Sequence, residues 1–353
     1  MAEEIFNFMS AQQASATPPN PVKIFETVQG YQRAFVLKAA VDLDVFTAIA
    51  QGSHTVAEIA KACAASERGV RILCDSLVIL GFLSKSETRY TLTDDSAFFL
   101  DSRSPAYMGK ALKFLLHPTQ LKNVEALAET VRRGSCTPDQ DTVLSADDPL
   151  WVDFARGMAP IMYPAAQAIA GLLQPALAGR PAPKVLDIAA GHGVFGVTVA
   201  QQLPKAEIYA VDWASVLEVA QENARALGVA SRHHPLPGSA FTVDFGAGYD
   251  AVLLTNFLHH FDPPTNESLL KKIHAALIPG GQVVILEFVP NDDRVSPPMP
   301  AMFSMTMLSN TFHGDAYTFA ELGGMCGNAG FEEVKLVGLE SSPESLVVAR
   351  KPF

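Results

Sequence analysis

Residues 184–196 read KVLDIAAGHGVFG, an apolar strand that passes directly into a glycine-bearing turn and then a helix. Val185, Leu186 and Ile188 form a buried strand, and Asp187 sits on its last turn. Gly191 and Gly193 let the backbone bend sharply and approach a ligand with no Cβ in the way. Roughly 25 residues further on, the distance of one βαβ step, a second apolar strand, AEIYAVD, ends in Asp212, where a carboxylate can take the two hydroxyls of a ribose. Two strand-end acids flanking one glycine turn define a nucleoside pocket.

The rest of the chain sets the class of molecule around that pocket. A length of 353 residues suggests two domains, and 48% hydrophobic with 18% charged residues describes a globular protein with a large core. No apolar run reaches the length of a membrane span, and the first twenty residues, with Glu3 and Glu4 and no basic region, do not read as a signal peptide, so a cytoplasmic protein is expected. Cys63, Cys74, Cys136 and Cys326 lack metal-ligand spacing and read as reduced thiols; no metal is expected. A net charge of −11 argues against a nucleic-acid partner.

Residues 1–20 end in a polar, proline-containing stretch and read as a flexible arm. From Lys23 to Ala50 apolar residues recur at helical spacing on more faces than one surface helix needs, which predicts burial against a second subunit. A short helix (HTVAEIAKACAAS), a longer one (ERGVRILCDSLVILGFL) and a polar hairpin (SKSETRYTLTDDS) then make a winged helix. That shape is first a DNA reader. The longer helix, however, offers only Arg68 and Arg71, with Glu67 and Asp75 beside them, so a structural, dimerising module is expected over residues 21–105.

Helices continue over residues 106–180, and in WVDFARGMAPIMYPAAQAIAGLL Phe154, Met158 and Met162 recur every four residues. Such a stripe is either core or the wall of a pocket for a flat apolar ligand. After Lys184 strands alternate with helices (VLDIA, AEIYAVD, DAVLLTNFL, QVVILEFV), a parallel doubly wound pattern, and the chain closes on two β-rich runs, AGFEEVKLVG and ESLVVARK, joined as a hairpin.

The run Asp187-Ile188-Ala189-Ala190-Gly191-His192-Gly193 resembles the first motif of class I S-adenosylmethionine-dependent methyltransferases, Asp-x-Gly-x-Gly-x-Gly, with Ala189 in place of the first glycine. The added methyl lies where backbone meets the methionine part of the cofactor, so binding requires Ala189 to keep a negative φ. From residue 20 to the end, the chain resembles the dimeric small-molecule O-methyltransferases of the caffeic acid and flavonoid type and their bacterial relatives. The resemblance implies an α/β, Rossmann-like seven-stranded sheet with an antiparallel C-terminal hairpin over residues 181–353, preceded by a helical winged-helix dimerisation domain. It also implies a homodimer, S-adenosylmethionine as cofactor and S-adenosylhomocysteine as product.

Site residues follow from the same resemblance. Gly238-Ser239-Ala240-Phe241 stands where the family has Gly-Asp-Met-Phe around the adenine, with Ser239 a weaker acceptor than the acid. Trp213, Thr255 and Asn256 join Asp187, Ala189, Gly191, Gly193 and Asp212 as cofactor contacts. In LLTNFLHHFD, His259 falls on the family's general-base histidine and His260 on the following acid, a register that one residue of loop slip would reverse. Imidazole suits the removal of a phenolic or enolic proton as the oxygen attacks a sulfonium methyl. Glu287 takes the place of the glutamate that orients the base. Ala316 stands where the second family acid would be, and Asp315 is its candidate substitute. Met302, Met307 and Asn310 fall in the segment that covers the acceptor and, with Phe154, Met158 and Met162, describe a pocket for an apolar, aromatic or polyketide-like molecule. The expected reaction is O-methylation. The alternatives are N- or C-methylation, non-methylating chemistry on the same fold (decarboxylation, hydroxylation, cyclisation) and a winged-helix ligand-binding regulator.

Overall fold

The computed structural model describes residues 19–138, 149–340 and 342–353, so nearly all of the N-terminal arm and most of the acidic stretch after Ser135 lie outside the described residues. By density of internal contacts the chain divides into two units, one ending at Ser104 and one beginning at Pro105.

In the first unit, helices Val22–Val28, Gly30–Asp42 and Val45–Ala50 precede helices Val56–Ala62 and Glu67–Ile79 and a hairpin of β1 (Leu83–Ser86) and β2 (Arg89–Leu92). Thr55 starts the fourth helix with a capping box to Glu58, and Ser66 caps the fifth through the Gly69 N–H, so both turns are written in local sequence. The hairpin lies against the fifth helix through one acid. Asp75 accepts from Lys85 at 2.6 Å, Tyr90 Oη at 2.7 Å and Arg71 at 3.1 Å. Lys85 of the wing and Arg71 of the helix are thus tied into the module's own packing.

The second unit holds a seven-stranded sheet of order β5-β4-β3-β6-β7-β9-β8, with β3 Lys184–Ile188, β4 Glu207–Asp212, β5 His233–Pro237, β6 Tyr249–Thr255, β7 Leu277–Glu287, β8 Glu332–Gly338 and β9 Ser345–Arg350. The first five of these positions are parallel, as buried βαβ strands require. β9 then runs antiparallel between β7 and the edge strand β8. The sheet's two apolar layers explain the near-continuous hydrophobic runs. Leu186, Ile188, Val252, Leu254 and Ile285 fill one face, and Val185, Ile208, Ala251, Leu253 and Val284 fill the other against the helix Pro149–Leu177. Parallel order puts the C-terminal ends of β3, β4, β6 and β7 along one rim, at the topological switch point between β3 and β6. Among the described residues no helix is long and apolar enough to cross a membrane.

Candidate active site

The rim begins with the glycine turn. Ala189 has φ 54°, in the left-handed region, so the expectation that it keeps a negative φ is corrected. The chain must reverse between the end of β3 and the helix Val194–Gln202, and an alanine holds that conformation at about 1–2 kcal/mol. Gly191 (φ 55°) directs its N–H to Asp212 Oδ2 at 2.8 Å, and a Cβ placed on it would meet nothing closer than Ala189 O at 3.9 Å. That open side of the turn is where a ligand can approach. Gly193 has a different reason: a Cβ there would come within 2.7 Å of Ala220 Cβ, so it serves the packing of two helices. Between them His192 is buried and neutral; burial pushes it down to about 4, and its Nδ1 accepts the Val194 N–H at 3.1 Å.

The two strand-end acids separate in role. Asp187 is fully buried, and its Oδ2 accepts the Gly196 N–H at 3.0 Å, so it ties strand to helix beneath the turn instead of facing a ligand. Burial pushes its carboxyl up to about 8, against that hydrogen bond. Asp212 reaches the turn itself, accepting from Gly191 and, at 2.7 Å, from Trp213 N–H; burial pushes it up to about 6. Each of its oxygens keeps a lone pair for a hydroxyl donor.

The Gly238 N–H donates to the Asp212 carbonyl at 2.9 Å, which brings the next loop to the rim. Ser239 accepts the Phe241 N–H at 3.3 Å, Ala240 is buried, and Phe241 meets Phe261 edge-on at 4.9 Å and lies 6.0 Å from Phe257. At the end of β6, Thr255 is buried and Asn256 takes φ 52°. Asn256 Nδ2 points at Met162 Sδ, 3.7 Å away, while its Oδ1 is buried without a partner. Open space at Gly191, an acid at Asp212, an aromatic wall at Phe241 and this orphaned amide oxygen together fit an adenosyl cofactor.

His259 and Glu287 close the rim. Both are buried, at 5% and 3% exposure, and His259 Nδ1 lies 2.6 Å from Glu287 Oε2. Glu287 Oε1 accepts the N–H groups of Phe257 at 3.0 Å and His259 at 3.3 Å, so one carboxylate fixes both ring and loop. Among the described residues no protein group bonds His259 Nε2. His260 is turned elsewhere: Trp151 stands edge-on to it at 6.1 Å, its Nδ1 is buried and unpartnered, and burial with His259 beside it holds it well below the usual imidazole range.

Other predicted residues scatter. Asp315 pairs with Arg294 at 3.2 Å on the surface and bonds its own chain at Ala316 N, so it does not stand in for the second acid. Met302 is 67% exposed whereas Met307 is buried, so the two do not line one pocket together as expected. Five positions on a helix turn the side chain by about 140°. Phe303, one turn from Met307, is instead the residue against His259, edge-on at 4.9 Å and stacked on Phe288 at 4.1 Å. Asn310 is buried and accepts from Asn123 at 2.8 Å, so it joins helices. Phe154 meets Phe114 edge-on at 4.9 Å, Met158 is half-buried, and Met162 ends the stripe at Asn256. A cleft of about 490 Å³ opens beside this centre, lined by residues such as Asp262, Met305, Phe312 and His313 and by none of the dyad. The sequence reading missed Phe303, Phe288 and the buried acid Glu344. An aromatic in a methionine-rich run and an acid ahead of a terminal strand carry no local signal of where they point.

Comparison with known proteins gives the family. A family model described as the O-methyltransferase domain matches residues 154–332, and one described as the O-methyltransferase dimerisation domain matches residues 25–102. The chain is 29% identical to 3-hydroxy-5-methyl-1-naphthoate 3-O-methyltransferase of Streptomyces sahachiroi, over 97% of this chain and 99% of that one. It is 28% identical to a tetracenomycin polyketide synthesis 8-O-methyl transferase of Streptomyces glaucescens, over 94% and 97%. Among solved structures, a proposed O-methyltransferase of Nostoc punctiforme superposes with TM-score 0.89 at 50% identity, over 95% of this chain and all of that one. Human N-acetylserotonin methyltransferase in complex with SAM has the same fold, with TM-score 0.82 at 21% identity over 96% and 100%. By family model, domain order and rim geometry, the chain belongs to the S-adenosylmethionine-dependent O-methyltransferases.

Proposed function

We propose that this enzyme methylates a hydroxyl of a small, mostly apolar aromatic acceptor, with His259 as general base and Glu287 as its orienting partner. The observation that carries the reading is the buried 2.6 Å contact between His259 Nδ1 and Glu287 Oε2, with Nε2 bonded to no protein group among the described residues. Glu287 accepts the Nδ1 proton, so the neutral ring keeps its lone pair on Nε2 and the carboxylate stabilises the imidazolium formed when that lone pair takes the acceptor's proton. S-adenosylmethionine, when bound, supplies a methyl group on a positively charged sulfur. Gly191, Asp212, Phe241 and Asn256 would hold it, and most of the acceleration comes from fixing the acceptor oxygen opposite that methyl. Aromatic acceptors of the naphthoate and tetracenomycin relatives, together with Phe303 and the Phe154-Met158-Met162 stripe, favour a flat ring system. Pairing of two chains through the helices of residues 22–50 belongs to the same reading.

The test combines a mass-shift assay with a variant. Incubated with S-adenosylmethionine and hydroxynaphthoates, the wild type is expected to add one methyl to oxygen. His259→Gln should bind S-adenosylhomocysteine as the wild type does while turning over about 10²–10⁴ times more slowly. Unchanged turnover would remove His259 from the mechanism, and a product methylated on carbon or nitrogen would overturn the hydroxyl.

A further inference from the structure

The loop that follows β5 makes one isolated turn. Ser239 O accepts the N–H groups of Thr242 at 3.1 Å and Val243 at 2.9 Å, and its Oγ accepts that of Phe241. A Cβ on Gly238 would lie 3.2 Å from Val243 Cβ, so the turn is folded closely onto its own start. A single turn cannot hand its last carbonyls to a following one and needs donors from elsewhere. One side chain supplies them. Lys272 Nζ donates to Ala240 O at 3.0 Å and to Val243 O at 2.6 Å, and it stands 3.9 Å over the centre of the buried Phe245 ring. An ammonium carries three donors and a charge that favours a ring face, so this one group spans residues 240–245.

Lys272 belongs to the helix Pro263–Ala276, whose first turns are fastened to the loop that carries His259. Asp262 caps that helix through the Thr265 N–H at 2.9 Å. The fully buried Asn266 donates from Nδ2 to Leu258 O at 2.9 Å and Phe261 O at 3.2 Å, the carbonyls on either side of His259 and His260. Asn266 and Lys272 are about 9 Å apart along one rigid axis. Burial lowers the Lys272 ammonium against the pull of Asp244, and the two carbonyls replace the water it gives up.

We propose that Lys272 is a positioning residue for the cofactor: from the helix Pro263–Ala276 it clamps the turn at residues 240–245 and so sets the Phe241 ring as a wall of the adenosyl site. Phe241 in turn meets Phe261 of the base loop edge-on. Wall and base therefore hang from the same helix, Phe241 through Lys272 and His259 through Asn266. The effect on binding rests on Phe241 facing the cofactor; the clamp itself does not.

Lys272→Met keeps an unbranched stem and removes the donors and the charge. Hydrogen exchange on ligand-free protein is expected to be about tenfold faster at the Thr242 and Val243 amides of the variant, and unchanged exchange there would overturn the clamp. By calorimetry the variant should bind S-adenosylhomocysteine about tenfold more weakly than wild type, the scale of a lost hydrogen bond to a charged group. It should also raise KM for S-adenosylmethionine by more than it lowers kcat. Wild-type affinity in Lys272→Met, even with a lower melting temperature, would make the contact purely structural and overturn the proposal. In a Phe241→Ala background the same substitution should weaken binding by less than about twofold, because the ring it positions is gone. Equal losses in both backgrounds would mean that Lys272 acts by another route. If Phe241→Ala alone bound like wild type, the adenosyl wall would fail and take the binding role with it, while hydrogen exchange still decided the clamp.

Discussion

At the scale of single residues, the same chemical group takes three different states within one rim. Asp187, Asp212 and Glu287 are all strand-end acids, yet only Glu287 faces an imidazole. Asp187 is buried with one oxygen bonded and one orphaned, and its carboxyl stands at about 8. Its unfolded counterpart titrates near about 3.9. Between those values the folded chain keeps a proton that the unfolded chain has released, so stability falls as pH rises and levels off above about 8. Asp187→Asn lacks this titration. Its melting temperature relative to wild type should therefore climb from about pH 5 to about pH 8, measured on ligand-free protein; a pH-independent difference would mean that Asp187 is ionised in the fold. This division of roles was only half legible in the sequence. The position of an acid at the end of a strand follows from the alternation of apolar residues, but whether it looks up at the ligand or down into the helix depends on strand register. Asp187 opposite Ala210 and Leu253 lies inside the sheet, where no local pattern marks it.

At the scale of elements, the helix Pro149–Leu177 packs on one face of the sheet and reaches both the Asn256 loop and the helix Gly109–Leu115. Its stripe packs Met162 against the Asn256 loop and holds Phe154 against Phe114 of the helix Gly109–Leu115. The two helices meet at Gly157, where a Cβ would lie 3.0 Å from both the Ala111 nitrogen and the Lys110 carbonyl carbon. Backbone on backbone leaves nothing flexible to yield. Gly157→Val should force the helices apart and destabilise the protein by about 1–3 kcal/mol, seen as a lower urea midpoint with unchanged slope, and it should raise KM for the acceptor more than it weakens S-adenosylhomocysteine. A variant with wild-type stability would mean that the helices can separate freely. The four-residue period of the stripe was readable from the sequence, since i and i+4 share a face. The methionine-rich helix Pro298–Asn310 was not, because composition alone cannot say which of Met302, Phe303, Met305 and Met307 turns inward. Rotation about the helix decides that, and Phe303 and Met307 are the inward pair.

At the scale of the whole molecule, the N-terminal unit carries an apolar surface that a lone chain leaves in water. Val22, Ile24, Phe25, Val28, Tyr31 and Phe35 are 44–67% exposed along two successive helices. The family model for dimerisation begins at residue 25, within this surface. Exposed apolar area on this scale marks an interface, and a second copy of the same helices is the occupant that the dimerisation module implies. Half-exposed side chains of this size each contribute about 1 kcal/mol when covered, so Ile24→Ser, Phe25→Ser and Val28→Ser together remove about 6 kcal/mol from a symmetric pair and raise its dissociation constant by about 10⁴. Sedimentation velocity should find the wild type as a dimer at micromolar concentration and the triple variant as a monomer, with the sheet intact by circular dichroism. A wild type that sediments as a monomer, or a triple variant with the same dissociation constant, would mean that these helices serve something other than pairing. A soluble, fully active monomer would further separate the proposed site from the assembly, since among the described residues those hydrogen-bonded to His259 and Glu287 come from the unit that begins at Pro105.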